Sequence, residues 1–292
     1  MQKKQLRLAL CGLGLFAGLF AACDSTTPPV KPEAATPAVA VSSAPLPDIN
    51  SVIKKLTTLD GAQDVSAEMR MQVESADGKR ALLEFTLQRK FTADQAATFI
   101  RVTAPREESD KAILAIEKSD AATEATSYLA GLKKLAKLKS DNYVTFREAK
   151  VTIQELLGME VGQYDFSAAE RVSDNGATLI KAEGKAKAGR NLAYPRMTSY
   201  FSGDQQEPVR FEVFDEKNEL VKRVTFEPMQ TVQNKRMVSR VIFDDIAAKR
   251  KSVIETRSVK FDQNLSPKLF TEENLKGIIS SASAKLTTKL AK

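Results

Sequence analysis

From Val65 onward the apolar residues recur every second position. Ala67, Met69, Met71 and Val73 alternate with Glu68, Arg70, Gln72 and Glu74; after Asp77-Gly78, Ala81, Leu83, Phe85 and Leu87 alternate with polar neighbours. Successive strand side chains point to opposite faces of a sheet, so this pattern buries one face and wets the other. Asp-Gly favours the positive φ of a tight turn, and the two runs read as an antiparallel hairpin. Further β-like runs follow at Thr98–Thr103, Ala112–Glu117, Gln163–Arg171, Thr178–Glu183, Arg196–Phe201, Val209–Phe214, Leu220–Phe226, Met237–Phe243 and Ser252–Phe261. Asn175-Gly176, Ser202-Gly203-Asp204 and Asp215 to Asn218 separate several of them. Many short strands at roughly ten-residue spacing predict a mainly β chain with a meandering antiparallel sheet, closed or partly closed.

Helical spacing appears in only a few places. Asp48 is placed to cap a helix whose Ile49, Val52, Ile53, Leu56 and Leu59 share one face, with Gly61 as its end. Ile153, Leu156 and Leu157 before Gly158 read as a short helix between two halves of the sheet, and Thr271 can cap a last helix carrying Leu275, Ile278 and Ile279. In Tyr128 to Leu138, Leu129, Leu132, Leu135 and Leu138 fall every third residue among lysines. That spacing reads either as a basic amphipathic helix touching anionic lipid or as an ordinary element with a solvated lysine face, and Gly131 weakens a helix there.

Ahead of this lies a segment of different character. Lys3, Lys4 and Arg7 precede an apolar run from Leu8 to Leu19, and Ala21-Ala22-Cys23 closes it. A basic flank, a short apolar stretch and small residues before a cysteine are the pattern of a bacterial lipoprotein signal, and the run is shorter than the ~20 residues of a spanning helix. Cleavage before Cys23 would leave an acylated cysteine at the new N-terminus. Asp24 to Pro47 follows as a Pro/Ala-rich tether with few charges, extended rather than folded. The expected organisation is a signal peptide over 1–22, the lipidated Cys23 and tether over 23–47, one folded domain over 48–279 and a disordered basic tail over 280–292.

Composition bears on chemistry. The chain of 292 residues has no histidine, which removes Ser-His and Cys-His dyads, imidazole metal ligands and the side chain that titrates near neutrality. No catalytic residues, no metal site and no cofactor are expected, and the protein is not expected to be an enzyme. Asp215, Glu216, Asn218 and Glu219 lack the glycine and distal glutamate of an EF-hand loop and read as a solvated turn. Glu107-Glu108 and Asp244-Asp245 read as solvated charges in turns or at sheet edges. Of the two cysteines, Cys11 falls in the leader and Cys23 carries lipid, which excludes a disulfide framework. The net charge is +7, with Lys3, Lys4 and Arg7 supplying three of those units, so no nucleic-acid partner is expected.

A curved sheet with Met and Phe on its inner face and few helices to cover it leaves two alternatives. The concave face is open to acyl chains, whose burial yields ~0.8 kcal/mol per methylene, or it is a filled core. On the first, Met69, Met71, Val73, Leu83, Phe85 and Leu87 are the ligand-binding residues.

The order of elements also carries a family resemblance. The initial helix, the Met69–Val73 and Leu83–Leu87 hairpin, and Phe99-Ile100-Arg101-Val102-Thr103-Ala104-Pro105 leading to Ala112-Ile113-Leu114-Ala115-Ile116 resemble the LolA/LolB-like outer-membrane lipoprotein-sorting family. So do Tyr128-Leu129 before Leu132-Lys133-Lys134, the Ile153-Gln154-Glu155-Leu156 helix, and Val213-Phe214-Asp215 to Leu220-Val221-Lys222. The likeness runs from roughly Val65 to Ile278. Ser109-Asp110, Thr126 and Ala130 depart from it. The resemblance implies a single antiparallel sheet curved into an unclosed barrel of about eleven strands with covering helices. It also implies a strand over Leu132–Leu138, and binding of lipid or lipoprotein acyl chains without catalysis.

On this reading the partners are the bacterial membrane through the N-terminal lipid, an acyl lipid or lipoprotein ligand, and a membrane transporter that exchanges it. The alternative is an accessory lipoprotein of an envelope complex with a filled core. Asp24 directly after Cys23 resembles the signal that retains enterobacterial lipoproteins in the inner membrane, so anchorage facing the periplasm is expected there in preference to the outer membrane.

Overall fold

The computed structural model describes residues 45–277, apart from 110, 119–120, 122, 130–133, 140–141, 147–148, 168, 191, 193 and 205. Cys23, the leader, nearly all of the tether, the tail, Leu132, and the helix positions Ile278 and Ile279 lie outside the described residues.

The described residues open with helix α1 (Ile49–Thr57), whose first turn is capped by Asp48: its carboxylate accepts from the Asn50 amide at 3.1 Å and the Ser51 hydroxyl at 2.7 Å. The helix ends at Thr57, before the predicted Gly61, which instead serves in the following turn at φ 76°. Strands β1 (Asp64–Glu74), β2 (Arg80–Phe91), β3 (Gln95–Ala104), β4 (Ala112–Lys118), β5 (Glu124–Leu129) and β6 (Lys134–Leu138) then run as an antiparallel meander. Gly78, at φ 79°, makes the β1–β2 turn that its sequence announced.

A separate hairpin, β7 (Tyr143–Phe146) and β8 (Ala149–Thr152), leads into α2 (Ile153–Leu157). The second half of the sheet is β9 (Tyr164–Phe166), β10 (Glu170–Asp174), β11 (Ala177–Ala186), β12 (Arg196–Ser202), β13 (Pro208–Phe214), β14 (Leu220–Phe226), β17 (Arg240–Asp245) and β18 (Arg250–Phe261). The hairpin β15 (Met229–Val232) and β16 (Lys235–Val238) interrupts it. Asn175 and Gly176, at φ 50° and 83°, form the two-residue β10–β11 turn.

Pairing of β18 with β1 joins the two halves into one sheet of fourteen strands, ordered β10-β11-β12-β13-β14-β17-β18-β1-β2-β3-β4-β5-β6, with β9 continuing the β10 edge along β11. Among the described residues, edge strands β10 and β6 do not pair with each other, so the sheet is an unclosed barrel, with more strands than the roughly eleven implied. Its curvature shows in the core: Ile180 and Ala182 from β11 and Ala125 from β5 share one apolar cluster with Ile49, Val52 and Ile53 of α1 and Ile153 and Leu156 of α2. The sheet wraps around the helices.

The opposite, outer face is mostly polar. It carries one apolar patch (Phe99, Ala112 and Leu114 with Ile116, Tyr128 and Leu135), which the C-terminal segment covers with Phe270 and Leu275. Leu275 lies in the helix over 272–277, as the sequence predicted. Asp64 secures that segment by accepting from the Gln263 and Leu265 amides, each at 2.8 Å.

Three local expectations are corrected. The helical reading of Leu129 to Leu138 gives way to strands β5 and β6, with Leu135 on the outer cluster and Leu138 on the inner one. A three-residue spacing puts those leucines on one side of a helix but on opposite faces of a strand. The single runs at 163–171 and 237–243 are each broken between two strands. Glu108 and Asp245 are buried rather than solvated: Lys111 pairs with the first, Arg250 with the second.

Candidate functional site

Strands β1 and β2 pair in a register that sets Met69 opposite Phe85, Met71 opposite Leu83, Val73 opposite Ala81 and Ala67 opposite Leu87. Two-residue periodicity therefore places all six predicted residues on one face, the inner one. Met71 (0% exposed), Val73, Leu83 and Phe85 (2%) are buried, while Met69 and Leu87 are only half-buried. Met69 also receives a contact from the Thr256 hydroxyl, 3.5 Å from its sulfur.

A cross-strand row runs beside that pair. On β14 and β17, Phe226 stands opposite Val241, and Val241 stands opposite Ile254 of β18, which pairs with Met71 of β1. Phe226 and Val241 pack against the inner cluster yet keep part of their surface in solvent. Phe211 anchors the row: its ring centroid lies 4.7 Å from Phe226 and 5.9 Å from Phe201, both edge to face. The inner face is thus packed at its centre, where Ile254 and Met71 are buried, and partly open at Phe226 and Val241 and again at Met69 and Leu87.

One end of this face is charged. Glu155 on α2 and Arg250 at the start of β18 make two parallel hydrogen bonds of 2.8 Å, and both side chains are buried. Arg250 also donates to Ser252 at 2.9 Å and to Asp245 at 3.3 Å. Burial pulls the Arg250 guanidinium down, but the Glu155 and Asp245 carboxylates outweigh it and hold it above its ordinary value. Asp245 further accepts from the Ala248 amide at 3.0 Å and the Tyr143 hydroxyl at 3.4 Å. Burial, then the Asp245 charge, push the Tyr143 phenol up.

Lys222 completes the group. It sits on β14 opposite Asp245, 1% exposed, with its ammonium 3.9 Å from the Asp245 carboxylate. It makes no hydrogen bond among the described residues. The Tyr194 ring stands over it, 5.2 Å from Nζ. The Tyr194 carbonyl accepts from the Tyr164 hydroxyl at 2.8 Å, a phenol whose pKa burial raises strongly. A buried donor without an acceptor costs about 1–3 kcal/mol, so this lysine is an expensive residue to keep for packing alone.

The far end carries a second pair. Arg89 donates to Glu117 at 2.7 Å, and burial pushes the Glu117 carboxyl up against the opposing pull of Arg89, with Glu160 adding to the rise.

The apolar face is legible in the sequence, and the two charged ends are not. Lys222 shares its parity with Val224 and Phe226, and Arg250 with Ser252 and Ile254. A charge at an inward position of an alternating strand was the available signal.

Comparison with known proteins agrees with the architecture. A family model described as an uncharacterized protein matches residues 94–277. No curated protein matches the chain. Among solved structures, a domain named for outer membrane lipoprotein sorting, from Vibrio parahaemolyticus, aligns with TM-score 0.68 at 19% identity, covering 78% of this chain and 97% of its own. A DUF1329 family protein from Desulfovibrio piger aligns with TM-score 0.68 at 18% identity, covering 77% and 97%. A LolA superfamily protein from Nitrosomonas europaea aligns with TM-score 0.63 at 15% identity, over the same shares. The matched model spans more than half of the sequence, and the chain belongs to that uncharacterized family, with the LolA-like fold.

Proposed function

We propose that this protein is a lipid-anchored, non-catalytic carrier or sensor in the bacterial envelope, binding the acyl chains of lipids or lipoproteins on the inner face of its sheet. The observation that carries this reading is the set of half-buried apolar side chains, Phe226 and Val241 and also Met69 and Leu87, on the inner face of an unclosed sheet. Apolar surface held in reach of solvent on a concave face gains by receiving an apolar ligand. The fold shared with proteins named for lipoprotein sorting supports the same class of cargo. Cys23 supplies the anchor in this reading, and no helix among the described residues is long and apolar enough to cross a membrane. A membrane transporter is the partner proposed to exchange cargo, and Asp24 favours the periplasmic face of the inner membrane.

The complete burial of Met71, Phe201, Val213 and Val224 favours a second reading, an accessory lipoprotein with a filled core. Native mass spectrometry of the purified protein, with displacement of a fluorescent fatty acid, separates the two. Co-purifying acyl lipid or probe binding supports the carrier. An empty protein that binds no probe supports the accessory role.

A further inference from the structure

The charged end of the inner face has an unequal balance of hydrogen bonds. Glu155 is occupied by Arg250, and Asp245 accepts from Ala248, Arg250 and Tyr143, whereas the three donors of Lys222 reach no acceptor among the described residues. Its nearest opposite charge stands at 3.9 Å, beyond hydrogen-bond distance. The ammonium shares its face of β14 with Val224 and Phe226. At the strand rise, Lys222 and Phe226 are ~13 Å apart along that face. A buried cation without an acceptor therefore stands at the head of an apolar row whose other end meets solvent.

We infer that Lys222 receives the anionic head of a single-chain amphiphile, a carboxylate or a phosphate monoester, whose tail lies along the inner face toward Phe226 and Val241. This rests on the acyl-binding reading and adds the chemistry of the head group. An anionic oxygen at Nζ supplies the missing acceptor as a charge-assisted hydrogen bond, the stronger class. The Tyr194 ring, 5.2 Å from Nζ, offers only a cation–π contact in its place. The head enters when that ring swings aside, while the Tyr194 backbone stays held by Tyr164. Asp245 and Glu155 together balance the charges of Lys222 and Arg250, so the group is no general anion trap, and what it offers a head group is the unused donors of Lys222.

Isothermal titration calorimetry of the full-length chain with dodecanoate, dodecyl phosphate and dodecanol tests the assignment. Wild type should bind at least one of the two anionic ligands about tenfold more tightly than the alcohol, and Lys222→Met should bring that anion-to-alcohol ratio close to one. Comparing dodecanoate with dodecyl phosphate tells which head the site takes. Alcohol binding equal to that of both anions, or an anion preference that survives Lys222→Met, overturns the role of Lys222 and leaves acyl binding standing. Binding of none of the three overturns the acyl-binding reading itself. Should Lys222→Met fail to fold, Asp245→Asn serves: removing the neighbouring negative charge should raise anion affinity relative to dodecanol, and an unchanged ratio overturns the inference.

Discussion

Arg250 and Glu155 lie 95 residues apart in sequence and meet through two hydrogen bonds of 2.8 Å that fasten α2 to the first residue of β18. The same glutamate closes a capping box: its carboxylate accepts from the Thr152 amide at 2.6 Å, and the Thr152 hydroxyl accepts from the Glu155 amide at 3.2 Å. One side chain thus starts the helix and attaches it to the sheet.

Removing one member of such a pair strands a buried charge. Glu155→Leu should lower stability by about 3–5 kcal/mol, whereas Glu155→Leu combined with Arg250→Met should cost much less than the sum of the two single changes. Urea unfolding of the four proteins measures this. A single-variant loss below about 1 kcal/mol would mean that the pair is open to water in solution.

The Arg89–Glu117 pair predicts a pH dependence. Burial raises the Glu117 carboxyl above its ordinary value despite Arg89, so the folded protein holds that proton more tightly than the unfolded chain. Stability from this group is therefore greatest at low pH and declines as pH rises from the ordinary glutamate range through the raised one. Glu117→Gln should flatten the decline. Urea midpoints of wild type and variant from about pH 4 to about pH 7 report the slope, and parallel curves would refute the assignment.

Gly184 of β11 pairs with Phe166 of β9, and a Cβ built on it would lie 2.8 Å from the Phe166 ring. The β9 edge is only three residues long and has little pairing with which to resist displacement. Gly184→Ala should cost about 1–3 kcal/mol, and most of that cost should vanish in a Phe166→Ala background. Thermal unfolding of the four proteins tests this; equal costs in both backgrounds would place the strain elsewhere.

How far the fold was legible depended on whether one periodicity spoke alone. In β1 and β2 the alternation, the Asp77-Gly78 turn and the one-sided burial of Met71, Val73, Leu83 and Phe85 all agree, so the hairpin and its face were readable. In β6 the leucine spacing pointed to a helix, and antiparallel pairing with the neighbouring strand β5 decided otherwise. Charged residues were harder still. Arg250 and Glu155 look like surface charges in sequence, because the partner that makes burial tolerable comes from a distant element. The inner face was therefore legible as apolar, while its polar ends were not.

The final prediction separates a binding face from a filled core. Phe85 is 2% exposed within the core, so Phe85→Ala should cost about 3–5 kcal/mol whatever the protein binds. Val241 sits on the same inner face with part of its surface in solvent, opposite Phe226 and Ile254. Val241→Ser gives up little buried area and should change stability by less than about 1 kcal/mol. If the partly open row holds acyl chains, that substitution places a hydroxyl against the ligand tail and should weaken binding of a fluorescent fatty acid about tenfold. Probe titration beside thermal unfolding supplies both readouts. A Val241→Ser protein that keeps full stability and full probe affinity would show that ligand does not lie along Phe226, Val241, Met69 and Leu87.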